Sequence, residues 1–180
     1  MLILVGPSAS GKTEVAQILI NNYGMKRMVT YTTRPMRYGE ENHVSYHFVT
    51  KEEFIALKDN DEFVETTVYN DNYYGTRKSD VTDGKIVILE PNGLKAFRKK
   101  MSDKIMSFYL VTNENTRLNR MLIRKDSLEY AKKRLENDRD AFMNIEGVDY
   151  YIENEEISLE ELANKIYNIY VNKGEKKWKF

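Results

Sequence analysis

Leu2-Ile3-Leu4-Val5-Gly6-Pro7-Ser8-Ala9-Ser10-Gly11-Lys12-Thr13 begins one residue into the chain, and its reading decides the fold. A short apolar run feeds an octapeptide that fits the pattern G-x-x-x-x-G-K-[ST] at every fixed position. Each fixed position has a physical job around a polyphosphate. Gly6 and Gly11 allow backbone conformations closed to residues with a Cβ, so that N–H groups from the loop, including Ser8, Ala9 and Ser10, can converge on one anion. Lys12 brings a point charge to the β- and γ-phosphates, and the Thr13 hydroxyl is suited to Mg²⁺. Val15, Ile18 and Leu19 follow at helical spacing, so the loop would open a helix whose positive end faces the same phosphates.

Outward from this loop, strand-like runs alternate with helix-like segments. Strands are expected at Leu2 to Val5, Met28 to Tyr31, Ile86 to Leu89, Ile105 to Val111 and Val148 to Ile152. Helices are expected after Lys12, around Leu94 to Lys100, from Glu114 to Arg124, and from Leu128 to Met143 with Leu128, Ala131, Leu135 and Phe142 on one face. A last helix, Leu159 to Tyr170, opens with a Ser158/Glu161 capping box. The pattern predicts an α/β fold with a parallel central sheet flanked by helices. Residues from about 34 to 83 break the alternation. Val44 to Val49, a short helix announced by Thr50 and Glu53, and Glu62 to Tyr69 suggest a small inserted subdomain rich in strand. Residues 174–180 read as a frayed tail.

Bulk composition narrows the function classes. The 180 residues suit one domain, and 28 basic residues balance 28 acidic ones, so no overall field favours nucleic acid or an anionic membrane. There is no cysteine, hence no disulfide, thiolate metal site or cysteine nucleophile. The two histidines, His43 and His47, are too few for a His-rich metal site. The apolar run ends at Val5 and no stretch reaches the roughly 18 apolar residues of a membrane span. A soluble, cytoplasmic protein is expected.

The inserted region carries the more specific chemistry. Thr30-Tyr31-Thr32-Thr33-Arg34-Pro35-Met36-Arg37 places two arginines three apart on a loop, and arginine forks suit bidentate phosphate recognition. By itself the segment is equally compatible with two solvated surface arginines. Glu65 offers a carboxylate that can accept two N–H groups at once, as guanine presents and adenine does not. The alternative for Glu65 is a surface strand carboxylate, and for Tyr73 and Tyr74 core packing.

Taken together, Thr32-Thr33-Arg34-Pro35 with Arg37 and Gly39-Glu40, Tyr46-His47-Phe48-Val49, Phe54, Phe63-Val64-Glu65 and Asn72-Tyr73-Tyr74-Gly75-Thr76 closely resemble the GMP-binding region of guanylate kinases in order and spacing. The resemblance extends from the phosphate loop through Arg134-Leu135 to Asp149-Tyr150-Tyr151-Ile152-Glu153-Asn154. It implies transfer of the γ-phosphoryl group of ATP to GMP or dGMP, with Mg²⁺ as cofactor. Arg34, Arg37, Tyr46 and Tyr74 would hold the GMP phosphate. Glu65 would read the guanine edge, with Thr30 and Thr76 hydrogen-bonding the base. Arg120, Arg124 and Arg134 match arginines that close over the ATP phosphates from a lid spanning about 120–139, and Asn154 would lie near the adenine.

One segment departs from the family. Its usual Asp-x-Asp followed by Gln-Gly is replaced here by Ile88-Leu89-Glu90-Pro91-Asn92-Gly93. Glu90 keeps a carboxylate at the strand end, where it would orient the metal or its waters. Asn92 replaces a second carboxylate by a neutral amide on the GMP side. Two alternatives follow. The altered segment could serve a specialised kinase with a different or modified acceptor. A non-catalytic module of the kind found in membrane-associated scaffold proteins would also fit the arginines, although such modules generally lose the intact loop.

Overall fold

The computed structural model of the chain describes residues 1–36, 40–69 and 71–177. Its centre is β1 (Leu2–Val5), buried at every position. Alternation sends Leu2 and Leu4 to one face of the sheet and Ile3 and Val5 to the other, so both faces must be covered. On the first face α1 (Lys12–Tyr23) and α6 (Leu159–Lys177) bring Val15, Leu19, Leu162, Ala163 and Ile166 against the strand. On the second, α3 (Pro91–Met101) brings Leu94 and Phe97.

The main sheet is five-stranded and parallel. It runs from β2 (Lys26–Arg27) at one edge through β7 (Lys85–Ile88), β1 and β8 (Met106–Val111) to β9 (Tyr150–Glu153). With β1 between two later strands, the loop that leaves its C-terminal end lies where an open α/β sheet binds its ligand. Between β8 and β9 the chain forms two helices, α4 (Glu114–Ile123) and α5 (Leu128–Phe142), which pack on each other through Met121, Ala131 and Leu135.

A separate four-stranded sheet comes from residues 31–77, in the order β4 (His47–Phe48), β3 (Tyr31–Thr32), β6 (Asn72–Arg77), β5 (Phe63–Tyr69). Its floor is aromatic. Phe54 of α2 (Lys51–Asp59) is fully buried and stacks on Phe63 with ring centroids 4.5 Å apart. Gly75 crosses directly over this pair, and a Cβ there would stand 3.0 Å from both rings. The Thr50/Glu53 capping box forms at the start of α2, and the Ser158/Glu161 box forms ahead of α6.

Several expectations need correction. Met28 to Tyr31 is not one strand. The parallel sheet takes Lys26–Arg27, the second sheet takes Tyr31–Thr32, and the residues between them cross from one sheet to the other. Met28 stays attached to the first sheet through its N–H on the Ile86 carbonyl (2.9 Å). Of Val44 to Val49 only His47–Phe48 is strand, because the Asn42 side chain accepts the N–H groups of both His43 and Phe48 and turns the chain before it. Leu128 is exposed at the mouth of α5 rather than inward. Residues 174–177, expected within the tail, continue α6. Residues 178–180 lie outside the described residues.

Candidate active site

The phosphate loop is held in shape by backbone conformation and by contacts from far along the chain. Ala9 (φ 59°) and Gly11 (φ 91°) are both left-handed, which glycine adopts freely but which at Ala9 is a cost that only an over-determined turn carries. Gly11 also lies against the Asn154 amide, which a Cβ would approach to 2.8 Å. Gly11 stands at the N-terminus of α1 without a side chain to cap it, so the helix directs its first N–H groups into the loop. Lys12 folds back into the concavity, its Nζ donating to the carbonyls of Gly6 (2.6 Å) and Pro7 (2.8 Å). Burial pulls the Lys12 pKa below its ordinary value, opposed by the charges of Glu90 and Asp138 and reinforced by Arg134 and Arg117. Thr13 is exposed in the first turn of α1.

Asn154 is buried, and its amide donates to the Ser10 carbonyl at 2.7 Å. The side chain expected near the adenine therefore braces the underside of the loop. The arginines of α4 and α5 converge on the same place. Arg120 donates to the carbonyls of Ala9 (3.2 Å) and Asn154 (3.4 Å), and Arg134 donates to the Ser8 hydroxyl (3.2 Å). Arg124 pairs instead with Glu14 of α1 on the surface.

Two residues at this site escaped the sequence reading. Asp138 of α5 accepts the Ser8 N–H on Oδ2 (2.9 Å) and the Ser8 hydroxyl on Oδ1 (3.2 Å). Arg117 of α4 donates to the same Oδ2 at 2.8 Å. A signal was present: Arg117, Arg120 and Arg124 fall at i, i+3 and i+7, and Arg134 and Asp138 at i and i+4, each set on one helical face.

On the second sheet, Glu65 and Thr76 are cross-strand partners of β5 and β6, and the Thr76 hydroxyl donates to Glu65 Oε1 at 2.8 Å. Burial pushes the Glu65 carboxyl above the usual carboxylate range, with the Thr76 hydrogen bonds opposing. The Arg34 guanidinium lies over the rings of Tyr46 (5.4 Å) and Phe48 (5.6 Å) and pairs with Glu40 at 2.7 Å. Tyr74 stands edge-on to Tyr46, with centroids 6.2 Å apart. Arg34, Tyr46 and Tyr74 thus form one group; Arg37 lies outside the described residues.

A cavity of about 350 Å³ separates the two sides, lined by Thr13 and Gln17 of α1, by Ile88 at the end of β7, and by Thr30, Ser45 and Tyr46 of the second unit. Arg34, Glu65, Tyr74 and Thr76 are not in its wall. Glu90 and Asn92 are exposed where β7 passes into α3, with Pro91 at the first helical position. No three metal-ligating side chains cluster among the described residues.

A phosphate loop on the central strand of a parallel sheet, covered by an arginine-bearing helical pair and accompanied by a second, smaller sheet, defines a nucleoside monophosphate kinase, an ATP-dependent phosphotransferase. The comparisons with known proteins are specific about which kind. The family model described as guanylate kinase matches residues 1–170. The guanylate kinase of Campylobacter jejuni (strain RM1221) is 34% identical over 167 residues, 87% of this chain and 82% of that protein. That of Anaplasma phagocytophilum (strain HZ) is 31% identical over 179 residues, 94% and 84% of the two chains. The crystal structure of guanylate kinase from Anaplasma phagocytophilum superposes with a TM-score of 0.64 at 27% identity, covering 94% of this chain and 82% of that one. The chain belongs to the guanylate kinase family.

Proposed function

We infer that this chain is a guanylate kinase, transferring the γ-phosphoryl group of ATP to GMP, with dGMP as a further acceptor. The observation that carries the reading is the convergence of Lys12, Arg120 and Arg134 on the phosphate loop, together with the Glu65–Thr76 pair on the second sheet.

An oxygen of the GMP phosphate attacks the γ-phosphorus in line. The bond from that phosphorus to the β–γ bridging oxygen breaks, leaving ADP and GDP. The acceptor oxygen is already anionic near neutral pH, so positioning and charge stabilisation carry the rate, with no strong general base required. Lys12 would leave the Gly6 and Pro7 carbonyls for the β- and γ-phosphates, and Arg120 and Arg134 would exchange loop carbonyls and Ser8 for the transferring group. Arg34, Arg37, Tyr46 and Tyr74 would hold the GMP phosphate, and Glu65, Thr30 and Thr76 the base, with Glu90 and Asn92 at the mouth of α3. Mg²⁺, held by Thr13 and by Glu90 through water, would supply neutralising charge between the phosphates. Residues of about 34–83 form the acceptor unit and about 120–139 the lid, whose joint closure excludes water. A cytoplasmic setting belongs to the same reading.

The test is ADP release with GMP, dGMP, AMP, UMP and CMP as acceptors. GMP is expected to lead, with dGMP next. AMP outrunning GMP would overturn the role given to Glu65.

A further inference from the structure

The carboxylate of Asp138 sits where an anion from outside would be expected. Its Oδ2 receives two donors at once, the backbone N–H of Ser8 (2.9 Å) and Nη1 of Arg117 (2.8 Å). Its other oxygen receives the Ser8 hydroxyl, to which Arg134 also donates. Both side chains of the ion pair are nearly buried, at 7% and 12% exposure. A buried ion pair recovers its desolvation cost only when its remaining hydrogen-bonding groups are satisfied. Here one is not: Nε of Arg117 is buried and has no partner among the described residues. The guanidinium therefore holds a spare N–H beside the phosphate loop.

We propose that Asp138 holds the place of a terminal phosphate oxygen of the donor on Ser8, and that Arg117 passes from Asp138 to that phosphate when ATP binds. The proposal rests on the reading of Ser8 as part of the ATP-binding loop. A phosphate oxygen at the position of Oδ2 meets the same two donors, the Ser8 N–H and Nη1 of Arg117. Asp138 and the phosphate cannot share the position, since both are anions seeking one N–H. Asp138 is then a positioning residue. It keeps α4, α5 and the loop together in the empty enzyme, and it weakens donor binding because ATP must displace it. Arg117 is a donor-binding residue in addition to Arg120, Arg124 and Arg134.

Calorimetric titration with Mg²⁺-ATP in the absence of acceptor tests this. Asp138→Asn keeps the shape and removes the competing charge, so ATP should bind at least about threefold more tightly, by somewhat less than 1 kcal/mol. GMP affinity should not change. In the double variant Arg117→Gln/Asp138→Asn the gain should vanish, because the residue that collects it is gone. An Asp138→Asn affinity equal to or weaker than wild type overturns the proposal, as does a gain that survives the second substitution. Where Asp138→Asn fails to fold, the wild-type protein answers by NMR of its ¹⁵N-labelled arginine side chains. The Arg117 Nη signals should shift on adding Mg²⁺-ATP as their partner changes from carboxylate to phosphate; unchanged signals overturn the proposal. Wild type that binds no ATP at all would instead reject the functional reading.

Discussion

The two halves of the active site are built in opposite ways. The donor half is a contiguous octapeptide whose shape is secured by residues more than a hundred positions away: Asn154 beneath it, Asp138 and Arg120 upon it. The acceptor half gathers its residues from several short strands, and its pairs are local: Glu65 with Thr76 across one ladder, Arg34 with Glu40 along one loop. A loop that binds a polyanion concentrates dipoles and charge, so it needs rigid outside support. A surface that recognises a base edge needs one carboxylate at one register position. Its precision comes from the β5–β6 pairing and the Phe54–Phe63 floor.

Substituting one residue from each half should separate them. Lys12→Ala should lower turnover about 10³-fold or more, since the charge acts chiefly on the transferring group. GMP affinity, measured by titration without ATP, should stay near wild type. If both nucleotides lose affinity together, the halves are not independent. Glu65→Gln is the mirror test. It replaces an acceptor of two N–H groups by an amide that opposes guanine with a donor of its own. The kcat/KM for GMP should fall about 10²-fold, with the KM for ATP unchanged.

The same contrast governs what was legible in the sequence. The phosphate loop and β1 could be read directly, because a local motif and an apolar run each determine a local structure. The parallel sheet followed from alternation, and both capping boxes from spacing. Met28 to Tyr31 does not form one strand because a chain crossing between two sheets has no periodicity of its own. The Asn154 bond to Ser10 was not legible, because it joins residues 144 positions apart. Asp138 and Arg117 were hidden differently: charged residues on exposed-looking helices read as solvent-facing until the fold buries them against the loop.

Asn154→Ala probes that long-range support. It removes the amide from a buried carbonyl, which should cost about 1–3 kcal/mol of stability by chemical denaturation. The KM for ATP should rise while that for GMP holds, because the loop relaxes and the second sheet does not. Equal changes in both would mean that Asn154 supports the whole β9 edge and not the loop in particular.

The smallest expected effect is also the most diagnostic of the acceptor half. Burial raises the Glu65 carboxyl above its ordinary value. Guanine recognition needs the ionised form, so the KM for GMP should rise as pH falls through this raised value, at a pH where an ordinary carboxylate is still charged. Folding stability should follow the opposite slope. Between the ordinary and the raised pKa the folded state binds more proton than the unfolded one, so the contribution of Glu65 to stability weakens as pH increases. Glu65→Gln should remove both dependences together while leaving the pH profile of the KM for ATP where it was. A residue that served only the β5–β6 ladder would alter the stability slope and leave the GMP slope in place.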